Sequence, residues 1–412
     1  MGGREERHKL AHLLVVSQYF QPEQVRINEL CYEWVRRGHK VTVVTGIPNY
    51  PQGKFFPGYG WLRKRRESWQ GIDIIRLPLF PRGKNNLRLI LNYLSFHLSG
   101  SLWATFSRLK PDLIFVFGIS PLTKAKIATR LGSRIHKPVI LYLQDLWPET
   151  LEVVGSVRNK FILNWIKNMM QKIYEKCRLI LTTSPSLSEH LHSIGVEKEK
   201  LRYLPQFAED CYSSVPVKQS LTLPVNIVYA GNIGYAQGLE ILPETAYELS
   251  KRKVPVRFII IGTGRYAEKL SQRIRDLNVE AYFLMTGKLS DKEVAEYLGR
   301  SGFAFLSFMP SSLFEMTIPA KLQSYMAAGV PILAVASGET KRIVETAQCG
   351  FCSPMGNIQA LADNIEQALA IDNAEYVAMS QRAQTYYREH FDKSVAMQTL
   401  DSIFADIKGD VD

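Results

Sequence analysis

Long apolar runs are missing from this chain. No stretch of about 18 apolar residues occurs among its 412 residues, so no segment reads as a bilayer-spanning helix. The first apolar run, Leu13–Val16, is too short for a signal peptide and follows a polar start, Met1–Lys9, expected to be disordered. A cytoplasmic protein is the expectation. Cysteine is scarce: Cys31, Cys177, Cys211, Cys349 and Cys352 are an odd set without regular spacing, which argues against a secreted disulfide framework. Cys349 and Cys352 have C-x-x-C spacing, but no second ligand pair lies nearby and the position is late in the chain. They read as structural thiols. No cluster of His, Cys, Asp and Glu has metal-ligand spacing, so neither a dedicated metal site nor a resident cofactor is expected. His39, just after Gly38, is assigned no chemistry.

What is present fits a folded protein of two domains. The chain is longer than one hydrophobic core usually organises, and its 46% hydrophobic and 22% charged content is ordinary. Charge is uneven. Residues 1–210 hold 32 Lys and Arg against 17 Asp and Glu, and residues 211–412 hold 19 against 22. The first half, at +15, is suited to phosphates of anionic lipid or nucleic acid, although a solvated basic surface would look the same. No recognisable nucleic-acid reading module accompanies the charge.

β-branched runs alternate with helical segments, which reads as parallel sheets with crossover helices. The expected strands of the first half are His12–Tyr19, Val41–Thr45, Asp73–Leu77, Leu113–Phe117, Val139–Leu143 and Arg178–Thr183. The series breaks in a Pro- and Ser-rich stretch and restarts at Val225–Ala230, Val256–Ile261, Ala281–Thr286, Phe303–Phe308, Pro331–Val335 and Cys349–Cys352. The expected division is a first domain over 1–207, a linker over 208–224, a second domain over 225–380 and terminal helices over 381–412 that return to the first. Ligands of such sheets bind beyond the carboxyl ends of the strands.

Four loops carry the chemistry. Gly231, Asn232, Gly234 and Gln237 follow the Val225–Ala230 strand, where glycines let backbone amides approach a diphosphate and a helix start favours negative charge. Gly262 and Arg265 repeat the arrangement after the next strand. In Thr317–Pro331, Thr317 is expected as N-cap and Pro319 in the first turn of a short helix stopped by Gly329. Lys321 in that first turn opposes the helix dipole, and a bound anion would compensate it. A lysine reaching into solvent is the plain alternative. In the first half, Asp145 lies just past the Val139–Leu143 strand, where it would orient a sugar hydroxyl or accept a proton, unless it only caps the turn before Trp147 and Pro148. Phe55, Phe56, Tyr59 and Trp61 beside Arg63–Arg66 suit a membrane interface. Residues 82–108 read equally as a second such stretch or as a core helix.

These motifs, in this order and spacing, resemble glycosyltransferase family 4 across essentially the whole chain. The carriers are Gly38–Thr45, Gly231 to Leu239, and Pro319–Lys321 through Ala328–Pro331. The similarity extends to L-fucosamine transferases and related enzymes of O-antigen and capsule clusters. It implies the α/β GT-B fold, two Rossmann-like domains facing each other across a cleft. It also implies retaining transfer from a UDP-sugar. The acceptor would lie against the basic first half, consistent with a polyprenyl-diphosphate-linked saccharide, and the same basic half would hold the protein peripherally on the cytoplasmic face of the inner membrane. Two departures stand out. Asn232 and Gln237 replace an Arg and a Lys frequent in the family's phosphate loop, so Lys321, Arg265 and Lys288 are left to supply positive charge. Met316 and Ser324 fall where the family often has two glutamates, leaving Ser324 to meet the ribose. A UDP-sugar epimerase of the same fold is the rival enzyme reading, and it would need more acids and histidines near the cleft. A basic nucleic-acid-binding protein is the rival from another class.

Overall fold

Strands that are apolar on both faces are stable only inside a sheet covered by helices on each side. The computed structural model describes residues 11–83, 85–153 and 159–409 and contains two such sheets. The expected disorder of Met1–Lys9 lies outside the described residues. The first sheet is built from β1 (His12–Val16), β2 (Lys40–Gly46), β3 (Arg66–Trp69), β4 (Ile72–Leu77), β5 (Leu113–Gly118), β6 (Val139–Leu143), β7 (Leu179–Thr182) and β8 (Leu201–Tyr203). Its order is β3-β4-β2-β1-β5-β6-β7-β8, parallel except for β3. The second sheet contains β9 (Val225–Ala230), β10 (Val256–Ile261), β11 (Phe283–Gly287), β12 (Phe303–Ser307), β13 (Ile332–Val335) and β14 (Gly350–Ser353), in the order β11-β10-β9-β12-β13-β14 and wholly parallel. This is the GT-B architecture.

β3 and β8 were not expected. Each is an edge strand of four residues or fewer with polar residues exposed, too short to show alternation against its surroundings. β3 begins at Arg66, inside the aromatic and basic stretch assigned to a membrane. There Arg76, fully buried, pairs with Glu67 and lies 4.9 Å from the Tyr59 ring. Phe55 packs on the core and Phe56 faces the cleft. Of the four aromatics expected at an interface, Trp61 is the one left largely exposed.

The chain passes between the lobes twice. Phe207 is buried in the core of the first lobe and Ala208 already in that of the second. The stretch after it is not a free linker: Asp210–Ser213 is helical, and Tyr212 and Val215 are buried in the second core. The return crossing falls at Phe391–Asp392, not at the expected 380/381. Helix Asn373–His390 is continuous because Ala383 and Tyr387 keep burying one face in the second lobe. Helix Lys393–Gly409 then docks Ala396, Met397, Leu400 and Phe404 on the first lobe, with Phe404 5.8 Å from Trp34. Lys393 ties the two crossings together by pairing with Glu29 and Asp210.

Leu400 is fully buried in this docking contact. Leu400→Ala should lower the unfolding free energy by about 2–5 kcal/mol, read by chemical denaturation. A change below about 0.5 kcal/mol would mean that the terminal helix contributes little to the first lobe.

Candidate active site

β9 and β10 run into adjacent loops at their carboxyl ends. Gly231 and Gly262 have φ of 145° and 143°, which other residues adopt only under strain. The loops touch: a Cβ on Gly262 would lie 1.8 Å from the Gly231 carbonyl oxygen, and one on Gly264 would lie 2.1 Å from that of Ile233. Stacking of one loop on the other therefore requires Gly262, ahead of any need to approach a phosphate. The Gly231 N–H donates to the Ile261 carbonyl at 2.9 Å, so it is not a free donor for a ligand, contrary to expectation. What Gly231 leaves is room: its absent Cβ would sit 3.6 Å from Nζ of Lys321.

Lys321 belongs to helix Ala320–Ala327. Pro319 is the N-cap, extended at ψ 140°, so the helix begins after it; the expected cap, Thr317, instead donates to the Leu313 carbonyl of the preceding turn. No side chain caps this helix start and no acid stands in its first turn. Leu322 N–H donates to the Pro319 carbonyl at 2.9 Å, while the amides of Ala320 and Lys321 have no partner among the described residues, and the positive end of the helix dipole is uncompensated. The Lys321 ammonium donates to Tyr229 Oη at 3.0 Å and Gln237 Oε1 at 2.5 Å and lies 4.1 Å from the Tyr229 ring centroid. All these partners are neutral, and among the described residues no carboxylate pairs with it. Burial without a counter-charge pushes its pKa down to about 7. Gln237 is thus a holder of Lys321 and not a wall of the cleft.

A cleft of about 750 Å³ opens in front of this helix. Its second-lobe wall includes Gly231, Asn232, Gly262 and Lys288 from loops after parallel strands, and Lys321 and Ser324 from helix Ala320–Ala327. Ser324 Oγ donates to the Ala320 carbonyl at 3.3 Å. Gly234 and Arg265 lie off the wall, and Arg265 is exposed. Asp291 joins the wall and accepts from Tyr212 Oη at 3.3 Å.

The opposite wall comes from the first lobe and was missed in the sequence. It includes Glu23 and Tyr50, from the loops after β1 and β2. Glu23 is buried and accepts from the backbone N–H groups of Asn49 (2.7 Å), Tyr50 (2.7 Å) and Phe20 (3.2 Å). Burial outweighs these bonds and pushes its carboxyl up to about 7. Glu23 stands well into the loop that follows β1, which ends at Val16, so the strand-end rule that singled out Asp145 just after Leu143 does not reach it. No group of three or more His, Cys, Asp and Glu among the described residues is arranged to hold a metal ion.

Comparison with known proteins matches this geometry. The family profile described as Glycosyltransferase Family 4 covers residues 24–209, and that of Glycosyl transferases group 1 covers residues 219–386. The chain is a family 4 glycosyltransferase. It is 27% identical over 406 residues to the protein named as colanic acid biosynthesis glycosyl transferase WcaI of Escherichia coli K12, spanning 92% of this chain and 97% of that one. Among solved structures it is similar to sucrose-phosphate synthase from Thermosynechococcus elongatus (TM-score 0.69, 15% identity, 96% and 99% of the two chains). Anabaena Alr3699/HepE in complex with UDP and glucose is also similar (TM-score 0.66, 15% identity, 96% and 100%).

The glycosyltransferase holds its lobes together beside helix Ala320–Ala327. Glu339, a buried carboxylate of the second lobe, accepts from Ser186 N–H (2.9 Å) and Oγ (2.7 Å) at the start of a first-lobe helix. Ser184 donates to the Met316 carbonyl, and Thr340 Oγ1 donates to that of Thr317 at 3.1 Å. The two residues so held lie just ahead of Pro319. Asp145 does not face the cleft in this arrangement. Its Oδ2 accepts the Ser120 N–H at 2.6 Å, bracing the loop after β5. Fully buried Lys124 has no hydrogen-bond partner among the described residues, and its pKa is lowered to about 7 by burial, an effect that the nearby Asp145 charge opposes.

Two outcomes follow for the transferase. A nucleotide-sugar carries no group that titrates between about pH 6 and 8, so in that range only the protein changes charge. Protonated Lys321 is fully present below pH 7 and is lost above it. Nucleotide-sugar affinity should fall by up to about tenfold per pH unit above 7, and in titration calorimetry Lys321→Met should keep only the smaller slope that Glu23, whose carboxyl titrates in the same range on the facing wall, contributes. A slope in that variant as steep as in the unsubstituted protein would assign the pH effect to another group. Asp145→Asn should lower stability by about 1–3 kcal/mol, because it leaves Lys124 without a nearby charge, while turnover stays within about twofold. Lost turnover at unchanged stability would return Asp145 to the role of orienting a sugar hydroxyl or accepting a proton.

Proposed function

We propose that the transferase moves a sugar from a UDP-sugar to a lipid-linked saccharide in the assembly of a surface polysaccharide, with retention of configuration. It would act at the cytoplasmic face of the inner membrane. The observation that carries this reading is Lys321, a cation held only by neutral groups at an uncapped helix start that opens into the cleft. When the bond between the anomeric carbon and the diphosphate breaks, negative charge grows on the leaving oxygens. An ammonium and open helix amides fixed beforehand stabilise that charge without reorganising. Lys288 would add a second cation, and Ser324 on the same wall would meet the ribose. In this reading the charge is met by protein groups, without a metal ion held by the chain. The carboxylates of the walls are otherwise engaged: Glu23 by three backbone amides and Asp291 by Tyr212.

The acceptor half of the proposal draws on the basic first lobe. A saccharide linked through a diphosphate to a lipid would meet positive charge there, with its sugar end in the cleft. The similarity to WcaI, named for colanic acid biosynthesis, supports a surface-polysaccharide role, and HepE with bound UDP supports the nucleotide. Retention is what the resemblance to the family implies.

Thermal stabilisation by a panel of UDP-, GDP- and dTDP-sugars tests the donor. UDP-sugars should stabilise the protein by about 2.7 kcal/mol at a hundredfold excess over Kd. In Lys321→Ala that stabilisation should shrink, and transfer should slow by about 10²-fold with the fold intact. Stabilisation by GDP-sugars alone, or transfer within a few-fold of the unsubstituted enzyme, would contradict the reading.

A further inference from the structure

Helix Asn86–Phe106 resolves the double reading of residues 82–108, because its two faces differ. Asn92, Phe96 and Ala104 turn inward, and Gly100 lies so close to helix Lys124–Ile135 that a Cβ there would fall 2.1 Å from Ile127 Cδ1. The outer face is bare: Leu87, Leu91, Leu94, Leu98, Leu102 and Phe106 are 42–75% exposed. Their spacing of three and four residues sets them in one stripe, roughly 30 Å long at 1.5 Å per residue. Helix Lys160–Lys176, on the far flank of Lys124–Ile135, adds exposed Phe161 and Trp165, and Leu62 is 96% exposed in the loop after β2. Scattered exposed apolar residues need no explanation, but a continuous stripe of this kind marks an interaction surface.

Place and charge identify the occupant. Both exposed helices start, and the Trp61–Leu62 loop leaves, at the carboxyl edge of the first sheet, the edge that borders the cleft. Arg63, Lys64, Arg66, Arg88, Lys160 and Lys167 are exposed around the apolar residues. Neither residues 54–66 nor helix Asn86–Phe106 contains an acid. A second copy of this chain would bring the same positive charge to the contact and be repelled, whereas anionic lipid complements it. Among the described residues no helix is long and apolar enough to cross a membrane, and the helix is apolar outward on one side. Such a helix lies in the interface plane.

We propose that the leucine face of helix Asn86–Phe106, flanked by Phe161, Trp165 and Leu62, is the surface on which the transferase rests in an anionic bilayer, with the rim of its cleft at headgroup level. This deepens the lipid-linked acceptor reading, which explains why the surface adjoins the cleft, but it is tested without an acceptor. The experiment is sedimentation of the full chain with vesicles of phosphatidylglycerol and phosphatidylcholine, and of phosphatidylcholine alone, combined with light scattering in solution. The unsubstituted protein should prefer the anionic vesicles, and rising salt should weaken binding at least about fivefold. Leu98→Glu with Leu102→Glu should reduce binding by about tenfold or more. UDP stabilisation should stay unchanged, which separates loss of this surface from loss of the donor site. The milder Leu98→Ser with Leu102→Ser should fall between, and it serves if the charged pair lowers the melting temperature. Binding that survives both double substitutions would overturn the proposal. So would a stable dimer that they dissociate, because a second copy would then be the occupant. Vesicle binding as described, together with failure to use any lipid-linked acceptor, would leave this surface standing and remove the acceptor reading.

Discussion

The Lys321 ammonium rests on two neutral oxygens and an aromatic face, at the positive end of a helix. A charge removed from water without a counter-charge is costly, and the helix dipole at this end adds to the cost. The surrounding second lobe is arranged to keep that charge in place. Tyr229 reaches it from β9 and is itself fixed by donating to the Asn232 carbonyl at 2.6 Å. Gln237 reaches it from the short turn after Gly234, and Gly231 leaves the ammonium uncovered toward the cleft. An anion entering the cleft would relieve the imbalance, so binding energy is concentrated where negative charge grows during transfer.

The same helix is tied to the relation between the lobes. Met316 and Thr317, immediately before Pro319, are held through their carbonyls by Ser184 of the first lobe and Thr340 of the second. Leu313 of the second lobe is buried in the first lobe's core. Glu339 caps the start of a first-lobe helix, where a carboxylate favourably meets the dipole. A change in lobe separation must therefore break these contacts and move the segment that positions Lys321. The helix that carries Lys321 and the contact between the lobes therefore share a few residues.

Much of this could be read from the sequence, for reasons that differ by element. Strands such as Leu113–Gly118 and Val225–Ala230 are legible because a strand buried on both faces has to be a continuous apolar run. Lys321 is legible because its charge opposes a local rule, and violations of local rules concentrate at functional sites. Glu23 and Tyr50 are not, because their role depends on which loops two distant strands bring to the cleft. Asp145 obeys the strand-end rule, yet its carboxylate turns to Ser120, a choice made by one hydrogen bond. Gln237 reads as a phosphate-loop residue but faces the lysine. The stripe from Leu87 to Phe106 is ambiguous because a helix apolar on both faces has the same composition whether it is covered by protein or by lipid.

Titration of the Lys321 side chain by NMR, with ¹⁵N-labelled lysine and the signal assigned by its loss in Lys321→Met, addresses the uncompensated cation directly. The account predicts a pKa near 7 in the free protein and a rise by several units, toward about 10 or higher, once a UDP-sugar saturates the cleft. An ordinary lysine pKa in the free protein, unchanged by the UDP-sugar, would contradict it.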